Sequence, residues 1–283
     1  MSIRDNYNHT LKASYVGYIT QAIVNNFIPL LFLTFQSSFG ISLEKITLLV
    51  TINFGIQLLV DLLSAKFVDK IGYRTAAVAA HIFAAAGIAG LGVFPDMFPD
   101  SYLGLLFCVC LYAVGGGLIE VLISPIVEAC PTEKKDAAMS LLHSFYCWGS
   151  VLVIAVSTLF FTVFGIENWR AMALLWAVVP AGNAIFFTSV PIAMLTEEGQ
   201  GMSIKSLLRE KTFWVFACII VCAGASEQAM SQWASTFAEN GLHITKTMGD
   251  LLGPCAFAVT MGTARALYGK FADKLPLKTA MIA

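Results

Sequence analysis

Residues 65–76 read AKFVDKIGYRTA, and residues 269–280 read GKFADKLPLKTA. The two stretches share Lys, Phe, Asp, Lys, Thr and Ala at equivalent positions, and the second begins about 200 residues after the first. Each one follows an apolar run and leads towards the next. Self-similarity over such a distance predicts a chain built from two related halves that repeat the same order of helices.

The composition around these stretches is that of a protein that lies in lipid. Of the 283 residues, 58% are hydrophobic and 12% are charged, whereas soluble domains average about 45–50% and about 25%. A water-soluble fold would lack the polar residues to cover its surface. The formal net charge of −1 excludes a basic surface for nucleic acid, and the high apolar content excludes disorder. We therefore expect a protein whose main partner is the lipid bilayer.

The apolar runs are long enough to cross a membrane. A transmembrane helix needs roughly 20 apolar residues, and about eight segments meet that length, so the predicted fold class is an all-α membrane protein. The predicted spans are residues 15–37, 44–66, 75–95, 101–128, 137–164, 169–194, 212–237 and 247–269. The predicted domains are an N-terminal six-helix transmembrane bundle (1–195), a central cytoplasmic loop (196–211) and the start of a C-terminal bundle (212–283).

The basic residues predict the orientation, because Lys and Arg in short loops stay on the cytoplasmic side. A cytoplasmic N-terminus places most of the 17 basic residues on the inner side and only Lys45, Arg170 and Lys246 on the outer side. Arg265 falls near the inner end of the eighth span. We predict a multi-pass protein of the cell (plasma) membrane with its N-terminus in the cytoplasm.

The chain ends at Ala283, within an apolar run that would begin a ninth span. A second half as long as the first would need about four further spans. We therefore expect a chain cut short after the eighth helix. The alternative is a natural eight-helix protein.

The repeated stretches resemble the signature loop of the major facilitator superfamily, G-x-x-x-D-[RK]-x-G-x-[RK], which joins the second and third helices and recurs between the eighth and ninth. The matching residues are Asp69, Lys70, Gly72 and Arg74 in the first copy and Gly269, Asp273, Lys274 and Lys278 in the second. In physical terms, Gly72 permits a tight turn and Asp69 suits a helix N-terminus. The resemblance implies the major facilitator fold with a complete N-terminal bundle and an incomplete C-terminal bundle.

Three spans are similar to the fucose-permease-like sugar:proton symporters of that superfamily. The residues that carry the similarity are Asn25 and Asn26 in the first span, Gly117, Glu120, Ser124 and Pro125 in the fourth, and His143, Phe145 and Gly149 in the fifth. Ser124 stands where asparagine is usual, His143 where glutamine is usual, and Pro29 where an acidic residue is expected. The resemblance implies that a sugar and a proton are the transported partners.

Glu120 is the leading candidate for proton coupling. A charged side chain at the bilayer centre costs about 2.5–3.5 kcal/mol, so such a residue normally faces a cavity or a partner. Burial disfavours the charged form, which allows the carboxyl group to take up and release a proton. Gly115, Gly116 and Gly117 precede it and permit close helix approach. A permanently protonated structural glutamate is the alternative.

Other polar residues in the spans predict a path for a hydrophilic solute. Amides form hydrogen bonds with hydroxyl groups, and an indole ring suits the apolar face of a sugar. The candidate path residues are Gln21, Asn25, Asn26, Asn53, Gln57, His143, Glu227, Gln228, Gln232 and Trp233. Asp61, nearest the cytoplasmic end of its span, is assigned to gating or loop anchoring. Hydrogen bonds between helices are the structural alternative for any of these residues.

These patterns together predict a secondary active transporter that moves a small hydrophilic solute, a sugar by resemblance, by alternating access with proton symport. We expect a monomer without cofactor or metal. The four histidines are scattered and match no motif of a hydrolase or metalloenzyme. Two alternatives stay open: an exporter of amphipathic compounds, and a truncated membrane protein that does not transport.

Overall fold

The computed structural model describes residue 4 and residues 6–132, 135–193 and 204–271, except for the side chains of residues 65, 66, 69, 136, 137, 204, 205 and 268–271. Its α-helices are α1 (Tyr7–Asn26), α2 (Phe32–Phe39), α3 (Leu43–Ile71), α4 (Tyr73–Gly90), α5 (Phe94–Met97), α6 (Ser101–Ala129), α7 (Lys135–Phe164), α8 (Trp169–Ser189), α9 (Ile204–Leu207), α10 (Lys211–Leu242), α11 (Lys246–Asp250) and α12 (Ala256–Phe271). Two 3₁₀ turns (Ile28–Leu31 and Ile166–Asn168) and one π-helical turn (Leu251–Cys255) complete the described segments. The all-α fold class is confirmed.

Six helical stretches among the described residues are long and apolar enough to cross a membrane. They are Tyr7–Phe39, Leu43–Ser64, Ser101–Ala129, Ala138–Phe164, Ile166–Ser189 and Lys211–Leu242. The third and eighth predicted spans are also helical but fall outside this set. Helix α4 is only 18 residues long and rich in alanine and glycine, and the eighth span is divided by the π-helical turn.

The first predicted span, 15–37, is not one continuous helix. It divides into α1, the turn Ile28–Leu31 and α2. Pro29 explains the interruption, because proline lacks an N–H and its ring clashes with the carbonyl four residues earlier. That carbonyl belongs to Asn25, and the side-chain Nε2 of Gln232 donates to it at 2.8 Å. The break in the helix therefore creates a hydrogen-bond acceptor for α10.

The eighth predicted span, 247–269, is also discontinuous. The turn between α11 and α12 contains Gly253, whose backbone angles (φ −88°, ψ −105°) are not helical, followed by Pro254. Pro254 has no backbone N–H to donate, and Gly253 lies outside the helical region of backbone angles. Together they interrupt the ladder of backbone hydrogen bonds. The span therefore consists of the short helix α11 and the longer helix α12.

Helix α6 lies at the centre of the bundle and packs against α1, α3, α4 and α7. The glycines of α6 permit this close packing. A Cβ added to Gly115 would lie 2.5 Å from the backbone nitrogen of Ala84, and one added to Gly117 would lie 3.0 Å from Cα of Gln57. Because three helices press on this segment of α6, Glu120, one turn further on, is brought beside α1 and α3.

We expect Gly115→Ala to destabilise the protein by about 1–3 kcal/mol, the usual cost of adding atoms to a packed core. The added methyl group meets the backbone of α4, which has no flexible end that can move aside. Gly182→Ala in α8 is the matched control, because its Cβ would meet nothing within 4 Å. Thermal unfolding in detergent should show a lower midpoint for the first variant and no loss for the second; equal midpoints would contradict the packing argument.

The first signature loop forms a tight turn between α3 and α4. Gly72 has φ +83°, which only glycine adopts without strain. Arg74 donates from Nη1 to the backbone oxygens of Phe187 and Thr188 at 3.0 and 2.9 Å, so it fastens the loop to the end of α8. Lys70 is exposed at the end of α3. The side chain of Asp69 lies outside the described part of the chain.

The second signature loop is described only at its start. Gly269 lies in the last turn of α12. Asp273, Lys274 and Lys278 lie outside the described residues, and their predicted role stays a prediction.

Candidate functional site

A polar cavity of about 260 Å³ lies within the bundle, and α1, α3, α6, α7, α10 and α12 all contribute to its wall. Most of its lining side chains are polar or charged, although the helices that carry them are largely apolar. The lining residues are Tyr18, Gln21, Asn25, Phe54, Gln57, Glu120, His143, Tyr146, Glu227, Gln228 and Arg265. Glu120 and six of the predicted path residues therefore meet in one place, as the helical spacing implied.

An amide network forms the wall between α1 and α3. Gln57 donates from Nε2 to Oδ1 of Asn53 at 3.0 Å and to Oδ1 of Asn25 at 3.4 Å. Gln21 donates from Nε2 to Oε1 of Gln57 at 3.3 Å. These side chains are buried, and a buried polar group without a partner would be costly. The network holds the amides of the two helices in fixed positions around the cavity.

Glu120 lies beside this network on α6. Its Oε2 accepts from Nε2 of Gln21 at 3.5 Å, and its side chain is exposed to the cavity. Glu227 of α10 lines the same cavity. Among the residues that the structure describes, Glu120 is in no ion pair. A carboxyl group with an amide neighbour, an acidic neighbour and no ion-pair partner in the described part of the chain is suited to binding a proton.

Arg265 and Glu227 bring the other charges of the cavity. The closest guanidinium and carboxylate atoms are 4.0 Å apart, and the two side chains are 40% and 28% exposed. The pair is loose, so both groups have hydrogen-bonding capacity left for a solute. Sequence reasoning placed Arg265 near the end of its span and gave it no role. Its position in an apolar helix is the signal that identifies such a residue.

Three further lining residues were missed: Tyr18, Phe54 and Tyr146. Each lies three residues from a predicted path residue, namely Gln21, Gln57 and His143. Residues three apart share a helix face, so the periodicity could have found them. The rings of Tyr18 and His143 are 5.5 Å apart, and the hydroxyl groups of Tyr18 and Ser124 form a hydrogen bond of 2.8 Å.

Four of the ten predicted path residues do not line the cavity, namely Asn26, Trp233, Asn53 and Gln232. Asn26 points the other way, where its Nδ2 bonds to the backbone oxygen of Ala22 and to Ser150, because consecutive residues differ by about 100° around a helix. Trp233 packs against Phe32, with ring centroids 5.2 Å apart. These two side chains hold helices together.

Asn53, Gln232 and Asp61 lie at the margins of the site. Asn53 and Gln232 line a separate small cavity of about 10 Å³, which Asn25 also borders. Asp61 lines neither cavity, and its buried Oδ1 has no hydrogen-bond partner in the described part of the chain.

The two predicted halves meet at the distal end of the bundle, which we define as the end opposite the start of α1. Gln232 bonds to the Asn25 backbone there, and the hydroxyl groups of Thr162 and Thr247 are 3.3 Å apart. Residues 211–226, the start of α10, are by contrast exposed or only half-buried. These polar contacts lie on the distal side of the cavity, and α12 also packs along α7, where Gly262 approaches Cys147.

Asp250 is the centre of the distal contacts and was not singled out in the sequence. Its side chain is completely buried. It accepts hydrogen bonds from Thr158 of α7 at 3.1 Å, from Ser235 of α10, and from Lys246 of α11 at 3.2 Å. Glu239 lies 3.8 Å from the same ammonium group. A buried carboxylate thus joins three helices from both predicted halves.

A comparison with protein families identifies this arrangement. Residues 15–283 match the sequence model of the Major Facilitator Superfamily. The chain belongs to the major facilitator superfamily. The predicted membership is thereby confirmed, and the superfamily is one of multi-pass membrane transporters rather than enzymes.

The fold agrees with that of a solved symporter. The chain is similar to the crystal structure of a D-xylose-proton symporter, with a TM-score of 0.67 over 94% of this chain and 68% of that one. The sequences are 15% identical, so the likeness establishes the major facilitator fold and not the solute. A comparison with curated proteins finds no match.

Proposed function

We propose that the protein is a secondary active transporter of the plasma membrane that imports a small hydrophilic solute, a sugar, together with a proton. The observation that carries the proposal is the central polar cavity, in which the carboxyl group of Glu120, in no ion pair among the described residues, lies beside an amide network. Ionisable groups within apolar helices are costly and mark pathways for ions and solutes.

The chemistry of the wall supports a polyhydroxylated solute. Glu120 and His143 are exposed to the cavity and, together with the amides, offer both donors and acceptors to hydroxyl groups. Phe54 and Tyr146 add aromatic surface that suits the apolar face of a sugar ring. The cavity volume of about 260 Å³ lies below the range of about 300–1,000 Å³ that drug-sized ligands occupy, which favours a small solute over a large amphipathic one.

Protonation of Glu120 is the proposed coupling step. With both glutamates ionised, the two carboxylates and Arg265 leave the cavity with one negative charge, and a proton on Glu120 removes it. A neutral solute then enters a cavity whose remaining charges are paired. The loaded transporter moves its two bundles, the predicted domains 1–195 and 212–283, past each other as a monomer.

From the distal contacts we infer that the structure represents a conformation in which the cavity is closed at its distal end. With the N-terminus in the cytoplasm, the distal end is extracellular, and the cluster around Asp250 closes the cavity on that side. Outward opening requires these contacts to separate. Asp61, Lys70 and Arg74 at the opposite end, and the second signature loop, are proposed to anchor or gate the cytoplasmic side.

The proposal is tested by uptake into proteoliposomes that contain the purified protein. An inward proton gradient should drive accumulation of at least one labelled monosaccharide, and unlabelled sugars should compete. Liposomes without protein provide the background. Accumulation that amphipathic compounds inhibit and sugars do not would overturn the assignment in favour of an exporter, and an absence of gradient-driven flux for the whole panel would support a protein that does not transport.

A further inference from the structure

An open groove of about 610 Å³ runs along the outside of the bundle between α4 and α8. The buried residues Ala177 and Ala184 form its floor, and Ile82, Val178 and Ile185 rise beside them with exposures of 54%, 66% and 72%. The lining is apolar except for Thr188 at one end. The groove is distinct from the polar cavity and has no part in the proposed transport.

The length of the groove matches one leaflet of a bilayer. On α4 it extends from Val78 to Ala89, which corresponds to about 16 Å at the rise of an α-helix. Half of the hydrocarbon core is about 15 Å thick. The groove therefore covers the depth that an acyl chain occupies in the leaflet nearest the start of α4.

An exposed cation marks the headgroup end of the groove. Arg74 donates from Nη1 to the backbone oxygen of Thr188, the lining residue at that end. On α4 it precedes Val78 by about one turn, so it lies just beyond the apolar part, at the level of lipid phosphates. A guanidinium group has five donors in a planar fork that matches the geometry of phosphate, and the two bonds to α8 use one nitrogen alone.

The shape of the rims favours a lipid chain over a helix. Transmembrane helices pack closely where both surfaces present small residues. Here the small residues are on the floor, and branched side chains at the rims would hold a helix backbone away. A flexible acyl chain fits a narrow trough between such rims.

We propose that this groove binds an anionic phospholipid, with one acyl chain between α4 and α8 and the phosphate on Arg74. Binding at this place ties the signature loop to the end of α8 and makes the stability of that corner dependent on the charge of the surrounding lipid.

The test is lipid binding by the purified protein in a neutral detergent. Dioleoyl phosphatidylglycerol and dioleoyl phosphatidylcholine are added separately, bound lipid is counted by native mass spectrometry, and the unfolding midpoint is followed. The anionic lipid should bind about tenfold more tightly and raise the midpoint, since both lipids offer a phosphate to the guanidinium group but the choline cation of phosphatidylcholine cancels the net negative charge of its headgroup. Equal binding of the two lipids would overturn the proposal.

Variants separate the two parts of the site. Arg74→Gln should remove the preference for phosphatidylglycerol, and Arg74→Lys should keep part of it. Ala86→Phe and Ala181→Phe, at exposed alanines that line the groove, should fill the trough and lower binding of the same lipid. Lys211→Gln removes another exposed cation at the start of α10, and Ala171→Phe enlarges an exposed alanine of α8 outside the groove; both should bind lipid as the parent does.

Other results would identify another occupant. If Lys211→Gln lost as much phosphatidylglycerol binding as Arg74→Gln, the anionic lipid would be attracted to exposed cations in general. That result would overturn the site. Competition by inorganic phosphate together with full binding in Ala86→Phe would show that no acyl chain enters. If the parent protein forms a dimer that is lost in Ala86→Phe and does not depend on lipid charge, the groove binds a second copy of the chain.

Discussion

Replacement of Glu120 by glutamine is expected to abolish proton-driven accumulation of the solute while exchange of labelled for unlabelled solute continues. Glutamine keeps the shape and the hydrogen bond with Gln21 but cannot take up a proton. A membrane potential of 100 mV is worth about 2.3 kcal/mol for each charge moved, which corresponds to about 50-fold accumulation. The variant should reach only equal concentrations on the two sides, as measured by uptake into proteoliposomes with an imposed gradient.

Glu128→Gln is the matched control for this experiment. Glu128 lies two turns further along the same helix, is exposed and does not line the cavity. This variant should accumulate solute as the parent does. If the Glu120 variant accumulates solute against its gradient, another group carries the proton, and Glu227 is then the acid to test next.

Asp250→Ala is expected to destabilise the protein by about 3–5 kcal/mol, the usual cost of removing one partner of a buried charged pair. The change leaves the hydroxyl groups of Thr158 and Ser235 without their acceptor, and it leaves Lys246 with only the longer contact to Glu239 at 3.8 Å. Because the cluster joins α7 to α10 and α11, the loss affects the contact between the two predicted halves. The unfolding midpoint in detergent measures it.

Asp96→Ala is the control for this second prediction. Asp96 also pairs with a basic residue, Arg170, at 2.8 Å, but the side chains are 58% and 36% exposed. Exposed ion pairs contribute about 0–1 kcal/mol, so the midpoint should fall only slightly. A comparable loss in both variants would show that Asp250 is no more important than a surface aspartate.

Helical spacing explains why much of the cavity was predictable. Gln21 and Asn25 lie four residues apart, as do Asn53 and Gln57, and polar groups in apolar helices turn away from lipid. Each pair therefore faces inward, and two inward faces meet. The all-α class and the repeat followed from composition and self-similarity in the same way.

Contacts between residues that are far apart in the sequence could not be predicted from helical spacing. Asn25 and Asn26 look equivalent in a sequence, yet only the first faces the cavity, because the rotation of the helix decides between them. Trp233 has the chemistry of a sugar-binding residue but packs on Phe32. Asp250 lies at the start of its span, where an acidic residue suggests solvent, and the partners that bury it are 15 and 92 positions away in the chain.

The π-helical turn at Leu251–Cys255 has a consequence for motion. It separates Asp250 from Arg265, which are otherwise in the same span. Gly253 already has non-helical torsion angles and Pro254 supplies no amide hydrogen, so rotation at this point sacrifices few backbone hydrogen bonds. Helix α11 can then swing away from α7 while α12 keeps its orientation. In the proposed orientation, this movement opens the extracellular side of the cavity without displacing Arg265.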